Sequence, residues 1–217
     1  MPELAIQVTG VEASARGMVP LLSFRLQISQ PPPAAPIHSV MLHAQIQIVA
    51  PQRDYNEREQ ERLRELFGEP SRWGQTLRAR LWTHGQTLVG PFTGATEAEL
   101  AVPCTYDLNI ASAKYFYALE EGDVPLVFLF NGTIFYPATD GTLQVQQVSW
   151  DTECAYRVPV SLWRKMMEEH YPNSAWLYVD REIFDRLYAY KRRHSLATWE
   201  RTLDELLLAA ESEEVPA

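Results

Sequence analysis

The chain has 217 residues and a formal net charge of −9, a balance that disfavours binding to nucleic acid or to an anionic membrane surface. Apolar side chains make up 46% of the residues, which is enough for one large core. The longest clearly apolar run, Val124 to Phe130, is far shorter than the ~20 residues of a membrane helix. The first residues lack the pattern of a signal peptide, and two cysteines make no disulfide framework. We therefore expect a cytoplasmic protein that does not insert into a membrane.

The first two strands are predicted from alternation of apolar and polar side chains. The alternation covers residues 22–28 and again 40–48, with the apolar side chains on one face of each strand. The stretch between them, 30–36, contains four prolines and therefore forms a loop. We expect the two strands to pair with each other across this loop.

A surface helix is predicted over residues 56–67. Asn56 and Glu59 have the spacing of a capping box, and Gly68 follows the last helical residue as a helix-ending glycine does. Few of the side chains are apolar, so the helix buries only a narrow edge.

Weaker patterns mark the strands that follow this helix. Apolar positions within 77–81 and within 98–102 predict two strands, which are joined through the turn at Gly90–Gly94. Leu108 and Ile110 suggest another strand, and the stretch from Lys114 to Leu119 fits either a strand or a helix.

A long hairpin is predicted at about 125–158. Asn131-Gly132 resembles a two-residue hairpin turn, but the strand from Thr142 to Val158 needs a long partner. A reversal at Thr139-Asp140 pairs residues whose numbers add to about 279, which places Gly132 opposite Gln147. The apolar side chains shift from odd to even numbers along the returning strand, so we expect a bulge at one or both of these positions.

Three amphipathic helices are predicted after the hairpin, and each has a tryptophan in it or just ahead of it. Ser161, Asp180 and Thr198 are the expected N-caps. The side chains expected to face inward are Trp163, Met166, Met167 and His170 in the first helix, Ile183, Phe184, Leu187 and Tyr188 in the second, and Trp199, Leu203, Leu206, Leu207 and Ala210 in the third. Trp176 precedes the second helix.

These elements predict an α+β fold in a single domain, residues 1–217. Residues 1–158 form a β-rich part, with a bent, largely antiparallel sheet that contains the long hairpin. Residues 159–210 form a helical part, whose three helices pack on one side of the sheet. Residues 211–217 form a flexible tail.

The sequence contains no pattern of a known catalytic or cofactor site. A nucleophile elbow, a phosphate-binding glycine loop and the spaced ligands of a metal site are all absent. We therefore assign no catalytic, cofactor-binding or metal-binding residue, and we expect no cofactor. The basic cluster Lys191–His194 is interpreted as charge at a helix C-terminus, and Tyr115–Tyr117 as core packing.

Two alternatives remain open at this stage. Cys104 and Cys154 could meet across neighbouring strands and, with one histidine, hold a metal ion in a carrier or an enzyme. A β-module could instead bind carbohydrate or another small ligand through Tyr115, Tyr117 or Trp150.

Several segments in a fixed order resemble a bacterial family of unknown function, found mainly in actinobacteria. The segments are 66–74 (LFGEPSRWG), 102–107 (VPCTYD), 113–116 (AKYF) and the helical stretch from 158–164 (VPVSLWR) through Thr198-Trp199. The genes of that family are often found beside those of nickel-iron hydrogenases. The resemblance implies a genomic setting and no catalytic residues.

The resemblance and the lack of a catalytic set together predict a non-catalytic accessory protein. We expect a chaperone-like or scaffold factor whose partner is a hydrogenase subunit or a maturation factor. A homo-oligomer is also left open, and we expect no nucleic-acid partner.

Overall fold

The computed structural model describes residues 2–15, 17–105, 110–175 and 177–213. Strands and helices are numbered in chain order. The strands are β1 (Ala5–Ser14), β2 (Leu21–Ser29), β3 (Ser39–Ile48), β4 (Arg80–Val89), β5 (Ala95–Pro103), β6 (Asp123–Pro137), β7 (Leu143–Gln147) and β8 (Glu153–Pro159). The helices are α1 (Glu57–Phe67), α2 (Trp73–Thr76), α3 (Ile110–Ala118), α4 (Val160–His170), α5 (Arg181–Arg193) and α6 (Trp199–Glu213).

The chain forms two compact units, Met1–Ser174 and Ala175–Ala217. The first holds all eight strands and the helices α1–α4, and the second holds α5 and α6. Antiparallel sheets together with helices confirm the predicted α+β class.

The strands form two antiparallel sheets, with the order β1-β2-β5 in one and β4-β3-β6-β7 in the other. The strand β8 also pairs with β6, beyond the end of β7. The expected pairing of the strands at 22–28 and 40–48 is therefore wrong, because β2 and β3 belong to different sheets. The proline loop carries the chain from one sheet to the other. Alternation identifies the buried face of a strand but not its neighbour, and here both buried faces line one core.

The two sheets pack face to face through aromatic side chains. Phe24 on β2 meets Phe128 on β6 edge to face, with ring centroids 5.0 Å apart, and Tyr156 on β8 at 6.2 Å. At the connected end, a Cβ on Gly85 of β4 would lie 2.9 Å from Leu100 Cδ1 of β5. Glycine at this position therefore lets the two sheets approach closely.

The long hairpin reverses at residues 138–142, as predicted, and β6 runs straight through Asn131-Gly132. Gly132 has a φ of 154°, and a Cβ there would lie 2.2 Å from the carbonyl oxygen of Met41 on β3. The glycine thus serves close packing of two strands and not a turn.

The returning strand differs from the prediction of one continuous strand. It is divided into β7 and β8 by a turn at 149–152, which carries Trp150 into solvent, 92% exposed. Thr133, and not Gly132, faces Gln147. The expected bulge at these two positions is wrong, because Leu143 and Val145 are exposed apolar side chains on the outer face of the sheet. In the sequence, exposed apolar residues on an edge strand look like buried ones, so the alternation falsely indicates a change of the buried face.

The helix α1 follows its prediction closely. Asn56 accepts a hydrogen bond from Glu59 N–H, Glu59 accepts one from Asn56 N–H, and Gly68 ends the helix at a φ of 73°. The ambiguous stretch from Lys114 lies in α3. Ile110 begins that helix and is not in a strand, and Leu108 lies outside the described residues.

Two predicted boundaries shift in the structure. The strand expected at 77–81 begins only at Arg80, since Leu77 caps the end of α2. The helix α4 begins at Val160, with Pro159 as its N-cap, so Ser161 is not the cap. The predicted inward side chains Trp163, Met166 and Met167 are buried.

The second unit contains the two remaining predicted helices. Asp180 accepts a hydrogen bond from Glu182 N–H and Thr198 accepts one from Arg201 N–H, as N-caps do. The helix α6 extends to Glu213, and Trp176 and residues 214–217 of the expected tail lie outside the described residues. None of the described helices is long and apolar enough to cross a bilayer.

Candidate interaction surface

The two cysteines lie in different surroundings. Cys104 follows β5, is buried, and donates its thiol to the Val102 carbonyl oxygen at 3.5 Å. Burial raises the pKa of Cys104 to about 12. Cys154 lies on β8 opposite Phe128, and burial also raises the pKa of its thiol. Both thiols are therefore protonated at neutral pH, which is the form that reacts slowly and binds metal poorly.

Histidine, cysteine and carboxylate side chains do not gather into a metal-binding group anywhere in residues 2–15, 17–105, 110–175 and 177–213. Within these ranges, neither thiol belongs to a group of three side chains that could together bind a metal ion. The structure does not favour the alternative of a metal carrier that uses Cys104 and Cys154.

The three aromatic residues considered for carbohydrate binding do not share one surface. Tyr115 is buried, and its hydroxyl lies 2.9 Å from the hydroxyl of Tyr55. Tyr117 is exposed on α3, whereas Trp150 is exposed on the turn between β7 and β8. Tyr115 and Phe116 therefore belong to the core, as the sequence predicts, but the same prediction is wrong for the exposed Tyr117.

Arg53 and Glu59 form a buried ion pair in the first unit. The side chains are 7% and 2% exposed, and Arg53 Nη2 donates to Glu59 Oε1 at 2.5 Å. The guanidinium also donates to the carbonyl oxygens of Glu121 at 2.7 Å and Asp123 at 3.0 Å. Glu59 Oε1 accepts a second bond, from Glu120 N–H at 2.7 Å.

This ion pair joins two distant parts of the chain. It fixes the first turn of α1 to the segment 119–123 that leads into β6. Both Nη atoms of Arg53 donate hydrogen bonds within the protein, whereas its Nε is buried without a hydrogen-bond partner. The role of the ion pair is therefore structural: it holds these two segments together. Sequence reasoning found Glu59 only as a helix cap, and no local pattern marks Arg53 as its partner.

One face of the larger sheet points away from the core, and we call it the outer face. It consists of the outward side chains of four neighbouring strands. They are Leu81, His84, Gln86 and Leu88 on β4, Met41, His43, Gln45 and Gln47 on β3, Val127, Leu129, Asn131, Thr133 and Phe135 on β6, and Leu143, Val145 and Gln147 on β7.

The outer face has no aspartate, glutamate, lysine or arginine among these side chains. Leu88 is 71% exposed, and Met41 and Val145 are also exposed. The next strand beyond, β8, does place charges outward, at Glu153 and Arg157. A protein surface normally carries interspersed charges, so an uncharged and partly apolar sheet face is typical of a binding surface.

A bulge in β4 helps to shape this face. Leu81 faces Gln47 and Thr83 faces Ile46, so Trp82 is the additional residue between them. Trp82 turns into the core, 5.2 Å from the ring of Phe116. Because of this additional residue, Leu81 and not Trp82 continues the outward row of His84, Gln86 and Leu88.

A second uncovered surface lies on α5 and α6, and we call it the helical apolar stripe. It consists of side chains at helical spacing on one side of each helix. They are Ile183, Phe184, Leu187 and Tyr188 on α5, and Trp199, Leu203, Leu206 and Leu207 on α6.

The sequence predicts that these side chains face inward, and this is wrong for most of them. Ile183, Phe184, Tyr188, Leu203 and Leu207 are exposed. Among the described side chains of 175 and 177–212, a single threonine, Thr202, is buried. The periodicity gives the correct stripe but cannot show what covers it.

Three aromatic rings connect the two helices of the stripe. Trp199 lies 5.3 Å from Phe184 and 6.2 Å from Tyr188, measured between ring centroids. Lys191, in the basic cluster, donates to the carbonyl oxygens of Leu196 and Ala197 at 2.6 and 2.8 Å. Its charge therefore stabilises the connection between the helices.

Comparison with known proteins places the chain in a family. The pattern of the "Family of unknown function (DUF6084)" matches residues 1–215. The chain belongs to this family. The predicted membership of a family of unknown function is thus confirmed, and no curated protein matches this DUF6084 chain.

Among solved structures, this DUF6084 chain is similar to a β-glucosidase from Kluyveromyces marxianus at 5% sequence identity. The similarity covers 72% of this chain and only 15% of the β-glucosidase chain, with a TM-score of 0.21. We draw neither fold nor function from a likeness of this size.

Proposed function

We propose that the chain is a non-catalytic accessory protein that binds another protein through the helical apolar stripe. The observation that carries this proposal is a unit of two helices whose apolar stripe is largely exposed. Exposed aromatic and aliphatic side chains in a continuous row are the usual composition of a protein-binding surface.

The stability of the helices supports the same conclusion. The helices α5 and α6 have 13 and 15 residues, close to the length at which isolated helices are marginal in water. Most of the stability of an amphipathic helix comes from packing of its apolar side, which here is left to a binding partner. The partner would present an apolar groove or an amphipathic helix of its own.

The aromatic cluster supplies the expected centre of such an interface. Phe184, Tyr188 and Trp199 lie together, and aromatic residues of this kind dominate binding energy at protein interfaces. The leucines at 203 and 207 extend the apolar contact along α6.

The proposed partner is a subunit of a nickel-iron hydrogenase or one of its maturation proteins. This part of the proposal is supported by the resemblance of the sequence segments to a family with hydrogenase gene neighbours. A chaperone-like or scaffold role agrees with a proposal that rests on a contact surface and assigns no catalytic residue.

Affinity purification from the native host tests the proposal. The tagged chain is compared with the variants Phe184→Asp, which places a charge in the stripe, and Ala189→Asp, which adds the same charge on the other side of α5. We expect wild type and Ala189→Asp to retain a hydrogenase subunit or maturation protein, and Phe184→Asp to lose it by more than about tenfold.

Two results would count against the proposal. Recovery of the same proteins with Phe184→Asp as with Ala189→Asp would show that the stripe is not the binding surface. Absence of every hydrogenase and maturation protein from the wild-type sample would refute the proposed partner.

A further inference from the structure

The outer face is an uncharged area on a strongly charged protein. The chain as a whole carries a net charge of −9, and yet the outward side chains of β4, β3, β6 and β7 include no aspartate, glutamate, lysine or arginine. Two copies of the chain would repel each other at most orientations. At the outer face, two copies can approach without placing like charges in contact.

The polar side chains of this face are suited to a copy of themselves. Gln45, Gln86, Asn131 and Gln147 each have a carbonyl acceptor and an amide donor, so a side chain can pair with its own counterpart across a two-fold axis. Carboxylates or ammonium groups at these positions could not do so. The exposed apolar side chains, such as Met41 and Leu88, would bury one another at the same time.

The area of the face agrees with a weak dimer. Three strands about nine residues long, together with the five residues of β7, cover about 500 Å² per copy. The pair would bury about 1,000 Å², which is the lower limit for a specific protein interface. Interfaces at this end of the size range are typically weak and transient.

We infer that two copies of the chain form a symmetric dimer by packing outer face against outer face. This inference is independent of the helical apolar stripe and of any hydrogenase partner. Sheets that stack in this way lie about 10 Å apart, with side chains of the two faces interdigitated.

Sedimentation of the purified full chain tests the dimer, because no host protein is present. From about 1 µM to about 500 µM, the weight-average mass of the wild type should rise from 24.8 kDa towards twice that value. A mass that stays at 24.8 kDa over the whole range would overturn the inference.

A charge at the centre of the face identifies the surface. Gln45 lies between His84 of β4 and Leu129 of β6, so a two-fold axis through the middle of the outer face places it beside its own copy. Gln45→Glu should weaken the dimer by more than about tenfold, because two carboxylates would face each other. The matched control is Gln7→Glu, the same change at an exposed position on β1 in the other sheet, which should dimerise as the wild type does.

Mixing two variants separates repulsion from loss of folding. Gln45→Lys alone should weaken the dimer to a similar extent, but an equimolar mixture of Gln45→Lys and Gln45→Glu should recover it, because opposite charges then meet. Two results would contradict the assigned surface. One is that Gln45→Glu alone dimerises at the same concentration as the wild type. The other is that both variants stay monomeric in the mixture although circular dichroism shows that each is folded.

Discussion

Removal of the Glu59 carboxylate should destabilise the first unit more than any change on its surface. In Glu59→Ala, the buried guanidinium of Arg53 keeps its bonds to the carbonyl oxygens of Glu121 and Asp123 but loses its counter-charge. Glu120 N–H loses its acceptor as well, and the capping box of α1 loses half of its bonds.

The magnitude follows from the burial of both partners. Breaking a buried ion pair from one side costs about 3–5 kcal/mol, because a charge is left without compensation. The double variant Arg53→Met/Glu59→Leu removes both charges and should recover most of this loss. It should stay about 1–2 kcal/mol below wild type, since Glu120 N–H still lacks its acceptor and the carbonyl oxygens of Glu121 and Asp123 lose Arg53 as donor.

Urea unfolding followed by near-ultraviolet circular dichroism measures these differences. The control is Glu12→Ala, because Arg25 and Glu12 lie 2.8 Å apart in similar geometry but are 55% and 76% exposed. That variant should change the free energy of unfolding by less than about 0.5 kcal/mol. Equal effects of Glu59→Ala and Glu12→Ala would refute the reasoning that burial determines the importance of the pair.

Three further predictions concern other parts of the first unit. Gly132→Ala should lower the free energy of unfolding by about 3 kcal/mol or more, because its Cβ would meet the Met41 carbonyl oxygen. The control Gly74→Ala should not destabilise the protein, because a Cβ there has no atom within 4 Å. Similar urea midpoints for the two variants would contradict this. Because the pKa of Cys104 is about 12 in the fold and about 9 when unfolded, the unfolded thiol ionises first, and stability should fall as pH rises from about 9 towards 12. Cys104→Ala should show a shallower fall in urea unfolding over that range, and an unchanged slope would argue against burial. Trp150→Ala should leave the melting temperature within about 2 °C of wild type, and a larger decrease would show that the exposed ring has a packing role.

The sequence predicts local structure well where a single element determines the pattern. The capping residues Asn56 and Asp180 are found at the starts of their helices, and the reversal of the long hairpin lies where the length of the returning strand requires it. These features depend on contacts between residues near in sequence, or on a strand that has only one possible partner.

Pairing between strands was harder to predict, because the alternation of apolar and polar residues does not show which strands lie next to each other. The patterns of β2 and β3 are equally consistent with one sheet or two, and the hydrogen-bonded neighbours decide for two, because β2 pairs with β1 and β5 whereas β3 pairs with β4 and β6. The apolar residues Leu143 and Val145 suggested a bulge because an exposed apolar side chain on an edge strand looks like a buried one.

The candidate surfaces were partly visible in the sequence. The helical apolar stripe was identified residue by residue, although its exposure was not expected. The outer face could be found only once β3, β4, β6 and β7 were known to be neighbours, because its uncharged character belongs to four separated segments. The Arg53–Glu59 pair gave no local signal, since five residues of mixed polarity separate the arginine from a glutamate that the sequence marks only as a helix cap.

Photo-crosslinking in the native host tests most directly the claim that the helical apolar stripe binds a protein. A photoreactive phenylalanine analogue is placed at Tyr188 in the stripe and, separately, at Arg186 on the other side of α5. The account predicts an adduct with a hydrogenase subunit or maturation protein at position 188 and none at 186. Equal adducts at both positions, or no protein adduct at 188, would contradict it.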